Sequence, residues 1–297
     1  MRGHLNNMEE SGDFLVECNV CKLVYVNHAG STPCCGSIAW VLKRFEVNKI
    51  YNENCLDTMK IMPDNFIDLT VTSPPYDGLR TYNGYSFSFE EIAKELFRVT
   101  KEGGVVVWIV GDATVKGSES GTSFRQALYF KELGFNLHDT MIWEKTAMLP
   151  TQDRYYAIFE YVFVISKGKP KSMNFIDDKK NTAGGRVQKK DKCINKGKQE
   201  TGEGTFVRKD FGRRTNIWRV AIGKNKETKG HPAVFPEQLA NDHIITWSNE
   251  GDLVYDPFMG SGTTAKMAKF NNRNYIGSEI SKEYCDIIEK RLNNGLF

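Results

Sequence analysis

The chain has 297 residues, 40% hydrophobic and 26% charged, a balance that excludes a disordered or fibrous protein and fits one large core with an insertion or small appendage. Its formal net charge of +3 hides a division, because Ser166 to Gly230 carries 19 Lys and Arg against 7 Asp and Glu, a local net of +12 that leaves −9 for the rest. No apolar run is long enough to cross a bilayer and Met1 to Gly12 holds no secretory-type apolar stretch, so the expected compartment is the cytoplasm, with no membrane partner.

In chain order, a Cys-rich extension over 1–44 comes first. Cys18-x-x-Cys21 followed by Cys34-Cys35-Gly36 looks like two knuckles of a structural zinc ribbon, as expected of clustered cysteines in a cytosolic chain. Cys18, Cys21 and Cys35 are the candidate ligands. Thr32 stands where the second knuckle should begin, which leaves Cys34, His28 or water to complete the shell, and reduced structural thiols are the alternative reading.

From 45 to 166, apolar strand-like runs alternate with amphipathic stretches, the rhythm of a layered α/β sheet. Asp68 to Thr72 reads as a buried strand stopped by Pro74-Pro75, since proline removes backbone donors. Ser88 and Glu91 have the spacing of a capping box, with a helix running on towards Gly103-Gly104. Strands follow at Val105–Val110, Leu137–Trp143 and Tyr161–Ile165, and a helix at Phe124–Leu133 is stopped by Gly134. Over 167–230 the apolar periodicity fades while Gly, Lys and Asn accumulate, which marks an insertion, or else a disordered segment. Arg208, Lys209, Arg213 and Arg214 flank Phe206 and Phe211 there, a mixture suited to phosphate contact with some base stacking; a solvated basic loop carries the same charge. Over 231–297 periodicity returns: a helix opening at Pro236, a strand at Leu253–Tyr255, a helix from Thr263, a strand through Tyr275–Gly277 and a helix from Lys282.

Two motifs carry the chemistry. Asp256-Pro257-Phe258-Met259-Gly260-Ser261-Gly262-Thr263-Thr264 joins a strand to a helix, where the glycines let backbone approach a ligand and the first helical amides face it. Thr263 occupies the position where a phosphate-binding P-loop has Lys, which argues against an NTPase. The next strand ends at Gly277-Ser278-Glu279, placing a carboxylate where ribose hydroxyls can bond to it. An adenosine-type cofactor fits both features. The second motif is Thr72-Ser73-Pro74-Pro75-Tyr76, at the end of a buried strand.

Ser73 to Tyr76 resembles the catalytic Ser/Asp/Asn-Pro-Pro-Tyr/Phe motif of amino-methyltransferases, and Asp256 to Thr264 resembles their S-adenosylmethionine loop. Their order, catalytic half first and cofactor half last with a variable segment between, is that of the beta class of DNA N4-cytosine and N6-adenine methyltransferases. Tyr161 to Gly168 and His231-Pro232 with Pro236-Glu237 extend the likeness from about Asn48 to the C-terminus. The resemblance implies a circularly permuted Rossmann-like fold, an open, mostly parallel sheet with helices on both faces. It implies catalysis by Ser73, Pro74, Pro75 and Tyr76, and cofactor contacts from Asn54, Cys55, Asp256, Pro257, Phe258, Gly260, Gly262, Thr263, Thr264 and Glu279. Asn54 stands where many members have Asp.

The chemistry suits these residues. An exocyclic amine is a poor nucleophile because its lone pair is delocalised into the ring, and the Ser73 hydroxyl and Pro74 carbonyl, held by consecutive prolines, would accept its hydrogens and localise that pair. Tyr76 would stack on the flipped base. Ser at position 73 places cytosine N4 slightly ahead of adenine N6, by association. Pro33-Cys34 lies inside the Cys cluster, which argues against a C5-cytosine enzyme. Double-stranded DNA is the expected partner, and a homodimer and a cognate restriction endonuclease remain open. More remote alternatives are an RNA or protein-glutamine methyltransferase and a non-catalytic nucleic-acid-binding module.

Overall fold

The computed structural model describes residues 14–18, 24–27, 40–42, 46–75, 87–149, 153–189, 193–195, 198–200, 205–222 and 236–293. Its centre is an eight-stranded sheet formed by β1 (Lys49–Tyr51), β2 (Ile67–Thr72), β3 (Thr100–Val110), β4 (Asn136–Leu149), β5 (Ala157–Ser166), β6 (Ile217–Val220), β7 (Leu253–Asp256) and β8 (Asn274–Ser278), in the order β6-β4-β5-β3-β2-β7-β8-β1. Only β5 runs against the rest of this sheet. Among the described residues six helices accompany it: α1 (Cys55–Lys60), α2 (Phe89–Val99), α3 (Thr122–Glu132), α4 (Glu237–Trp247), α5 (Thr263–Phe270) and α6 (Lys282–Asn293). The expected open, mostly parallel α/β sheet is therefore present.

Strand alternation divides the core into two layers. Leu69, Val71, Val105, Val107, Ile109 and Val254 face one side, where α4, α5 and α6 supply Leu239, Ile244, Ala265 and Ile288. Ile67, Val106, Trp108, Val110, Tyr255 and Ile276 face the other, against Met59, Leu96 and Phe130 of α1, α2 and α3. Burial on both faces explains why the central strands read as nearly continuous apolar runs.

Some local expectations differ in detail. Ser88 sits at the N-cap of α2 but makes no side-chain capping bond, its φ −91° and ψ 77° departing from extended geometry; Glu90 and Glu91 in the first turn favour the helix through its dipole instead. The helix ends at Val99, and Gly103-Gly104 does not stop it. The glycines sit inside β3, where pairing with β2 jumps from Ile67↔Thr100 to Leu69↔Val105 and Gly103 adopts φ +78°, a bulge open to glycine.

Among the described residues of 167–230, three short antiparallel pairs follow one another: Lys179–Lys180 with Phe211–Gly212, Val187–Lys189 with Thr205–Val207, and Cys193–Asn195 with Lys198–Glu200. After them β6 returns to the main sheet, parallel to β4. In the extension, Phe14–Cys18, Val24–Asn27 and Trp40–Leu42 form a separate three-stranded antiparallel sheet. Among the described residues no helix is long and apolar enough to cross a membrane.

Candidate active site

The parallel strands β2 and β7 are neighbours, with Val254 opposite Leu69 and Tyr255 opposite Thr70, so their carboxyl ends emerge side by side. At that edge the Thr72 hydroxyl donates to Asp256 Oδ1 at 2.6 Å, and the same oxygen accepts the Phe258 amide at 3.0 Å. Thr264, in the first turn of α5, donates to the Val71 carbonyl at 3.1 Å. The loop after β7 is thus bonded directly to the end of the strand that carries Ser73-Pro74-Pro75. Pro74 is buried, and Ser73 and Pro75 are half-buried. Tyr76 lies outside the described residues, as do His231 and Pro232.

Asp256 has no solvent exposure. Burial pushes its carboxyl up to about 6, opposed by the hydrogen bonds from Thr72 and the Phe258 amide. The loop turns at Gly260 and Gly262, both left-handed with φ +53° and +82°. At Gly262 a Cβ would stand 2.9 Å from Ile288 of α6, so neither the conformation nor the space admits a side chain. Phe258 packs edge-on to Phe87 and Trp108, with centroids at 5.6 and 6.3 Å, which makes an apolar wall beside the loop.

Glu279, just past β8, is 8% exposed. Its Oε2 accepts the Gly260 amide and its Oε1 the Ser281 amide, each at 2.8 Å. Burial raises its pKa while these backbone bonds lower it. The carboxylate therefore clasps the glycine loop, and each oxygen keeps a second acceptor position. The adjoining strand β1 is fixed here as well, through Glu279 N to Tyr51 O at 3.0 Å and Asn52 Nδ2 to Glu279 O at 2.8 Å. Asn54 caps α1, its Oδ1 accepting the Leu56 amide at 2.9 Å. Cys55 is buried, which pushes its thiol up to about 12 and keeps it protonated at neutral pH.

Ser73 to Pro75, Asp256 to Thr264, Glu279, Asn54 and Cys55 therefore all lie at the carboxyl ends of the adjacent strands β2, β7, β8 and β1, the edge at which open α/β sheets hold ligands. The tie from Thr72 to Asp256 was not singled out in the sequence; its only signal is a hydroxyl residue closing an apolar strand. At the end of β3, Asp112 accepts the Ser123 amide at 2.9 Å and caps α3.

The basic residues separate in behaviour. Arg208, Lys209 and Arg213 are exposed, and the Arg213 guanidinium lies 3.7 Å from the centroid of Phe175. Arg214 instead pairs with Asp178 at 2.5 Å and Asp242 of α4 at 2.6 Å, which ties the inserted segment to the core. Cys18 lies in the first strand of the small sheet; Cys21, His28, Cys34 and Cys35 fall outside the described residues. Among the described residues no group of His, Cys, Asp and Glu is placed to hold a metal.

Comparison with known proteins agrees with this geometry. The DNA methylase family model matches residues 67–290, which includes both strand-end loops. Orphan methyltransferase M.BamHII of Bacillus amyloliquefaciens is 63% identical over 244 residues, covering 78% of this chain and 90% of the relative. Type II methyltransferase M.BglII of Bacillus subtilis is 30% identical over 253 residues, covering 81% and 68%. Among solved structures, the PvuII DNA methyltransferase, described as cytosine-N4-specific, superposes with a TM-score of 0.63 at 22% identity, covering 84% of this chain and 87% of that one. The complex of M1.HpyAVI with its SAM ligand gives 0.58 at 23% identity, covering 82% and 98%. At such identities the structures speak for the fold, and it is the family match together with M.BamHII that shows the chain to belong to the DNA methylase family, the S-adenosylmethionine-dependent amino-methyltransferases of DNA.

Proposed function

We propose that the chain methylates an exocyclic amino group of a flipped base in duplex DNA, with cytosine N4 ahead of adenine N6. The observation that carries this reading is the Thr72–Asp256 hydrogen bond, which joins the Ser-Pro-Pro turn to the glycine loop at one edge of the sheet. The preference for cytosine rests on Ser73 and on the description of the PvuII structure as cytosine-N4-specific.

The residues fit S-adenosylmethionine. Left-handed glycines bring backbone close, Phe258 offers an apolar side, and the Glu279 oxygens retain acceptor capacity for ribose hydroxyls. When bound, the cofactor supplies an electrophilic methyl group on a sulfonium. The Ser73 hydroxyl and Pro74 carbonyl accept the two hydrogens of the target amine, and the rigid Pro74-Pro75 pair fixes their spacing. The amine lone pair, withdrawn from the ring, then points at the loop side of the cleft. Tyr76 stacks on the extruded base. Rate acceleration comes from positioning and electrostatics, without a covalent enzyme intermediate.

M.BamHII is named an orphan methyltransferase, which supports a solitary enzyme over one matched to an endonuclease. The zinc-ribbon reading of Cys18, Cys21 and Cys35 rests on their spacing in the sequence; Cys18 closes the first strand of the three-stranded antiparallel sheet, and the other two lie outside the described residues.

Incubation with unmethylated duplex DNA and methyl-labelled cofactor, followed by nucleoside analysis, is expected to yield N4-methylcytosine. Label on adenine N6 overturns the base preference alone, and label only in RNA or protein overturns the DNA substrate. Ser73→Ala is expected to keep cofactor affinity and lose on the order of 10²-fold or more in turnover. Unchanged turnover removes Ser73 from the mechanism.

A further inference from the structure

Hydroxyl side chains crowd the start of α5, at Ser261, Thr263 and Thr264. Serine and threonine so placed ordinarily turn to accept hydrogen bonds from the first backbone amides of a helix, which have no partner within it. Here Gly262 stands at the N-cap and α5 has no side-chain cap. Thr264 is turned onto the Val71 carbonyl at 3.1 Å, and Ser261 and Thr263 are turned towards Arg291 of α6.

Arg291 lies in the last turn of α6, where a basic residue ordinarily serves its own helix dipole from solvent, yet it is only 4% exposed. Its Nη1 donates to the Ser261 carbonyl and, at 3.2 Å, to Ser261 Oγ, with Thr263 Oγ1 at 3.5 Å. Its Nη2 donates at 2.7 Å to Oε1 of Glu237 in α4, an oxygen that Lys266 of α5 also reaches at 3.0 Å. Glu237 is a fixed point, because α4 is also held at its far end, where the Asn174 amide donates to the Thr246 carbonyl at 2.8 Å. Ile288, three residues before Arg291 and on the same side of α6, packs against Gly262. The planar guanidinium thus holds Glu237 with one nitrogen and faces three oxygens of the glycine loop with the other.

We propose that Arg291 is a positioning residue for the cofactor. By drawing the Ser261 carbonyl and the Ser261 and Thr263 hydroxyls to the α6 side, it keeps the first amides of α5 open for an anionic group of the ligand, the carboxylate of S-adenosylmethionine. The proposal rests on the glycine loop being the cofactor site. Without the guanidinium, the Ser261 hydroxyl is released to accept from those amides and competes with the ligand. A lysine at this position lacks the fork that reaches Glu237 and the loop together.

The test is calorimetric titration of the full-length enzyme with S-adenosylmethionine in the absence of DNA, with urea unfolding of the same proteins alongside. Arg291→Met is expected to raise Kd about 10-fold or more, the size of a charge-assisted hydrogen bond. Adding Ser261→Ala to that variant is expected to recover roughly 5-fold, the size of one capping bond, while stability does not rise. Recovery of affinity without recovery of stability separates positioning from a structural role. An unchanged Kd in Arg291→Met, or a raised Kd that Ser261→Ala does not relieve, overturns the proposal. Should Arg291→Met fail to fold, Arg291→Lys and its double variant with Ser261→Ala are read by the same two outcomes. A wild type that binds no S-adenosylmethionine overturns instead the cofactor reading on which the role depends.

Discussion

Asp256 shows what a single residue contributes and how much of it was legible. Its place in the Asp-Pro-Phe loop could be read from the residue pattern, but its hydrogen bond to Thr72, 184 positions away, could not, because nothing in either segment states which strands become neighbours. Burial sets the consequence. Burial holds the folded carboxyl up at about 6, above its ordinary value of 3.8. Between those values the fold holds a proton that the unfolded chain has released, so this group lowers stability as pH rises through the window, by about 3 kcal/mol in full. Asp256→Asn retains an acceptor for Thr72 and the Phe258 amide and has no such titration. Urea unfolding at pH 4.5 and 7 is expected to show the variant gaining on the wild type by about 2 kcal/mol over that interval. Parallel pH profiles would rule out a raised Asp256 pKa.

At the scale of elements, the long strands and helices were legible because apolar periodicity survives in them, whereas β6 was not. Its four residues lie in a basic stretch, and their alternation of exposed Ile217 and Arg219 with buried Trp218 and Val220 is too short to stand out. What secures β6 is its packing on α4. His243 is fully buried and stacks on Trp218, with centroids at 4.5 Å and planes 24° apart. Burial, with the Arg214 charge nearby, pushes the imidazole down to about 3. The carboxylates of Asp242 and Asp178 are taken up by Arg214. The unfolded chain binds a proton below pH 6.5 and the fold does not, so stability contributed here is present above that pH and lost as pH falls. His243→Phe keeps the stacking ring without the titration. From pH 7 to pH 5 it is expected to lose about 2 kcal/mol less stability than the wild type, measured by the same denaturant series. An equal loss in both proteins would mean that His243 is protonated in the fold.

For the whole molecule, the order of the two motifs was enough to place them at one sheet edge, since a permuted α/β sheet brings the strands before both loops together. The short strand pairs of the inserted segment were legible only as a patch of charge, because exposed antiparallel pairs bury no apolar face to imprint a period on the sequence. Charge in turn dictates how the enzyme meets its substrate. The body carries −9 and repels DNA, so attraction resides in the +12 segment. Each phosphate neutralised releases condensed counterions, and log K falls with log salt by about 0.9 per contact. Arg214 is excluded from that count, since both its carboxylate partners are internal. Lys209→Gln and Arg213→Gln are therefore each expected to reduce the slope by about 1, whereas Arg214→Gln weakens DNA binding by loosening the inserted segment from α4 and leaves the slope near the wild-type value. Titrations of labelled duplex from 50 to about 200 mM salt, the range over which such interfaces lose most affinity, separate the two behaviours. A slope that drops as far for Arg214→Gln as for Arg213→Gln would place Arg214 on the phosphates and return the anchoring role to the hydrogen bonds of Asn174.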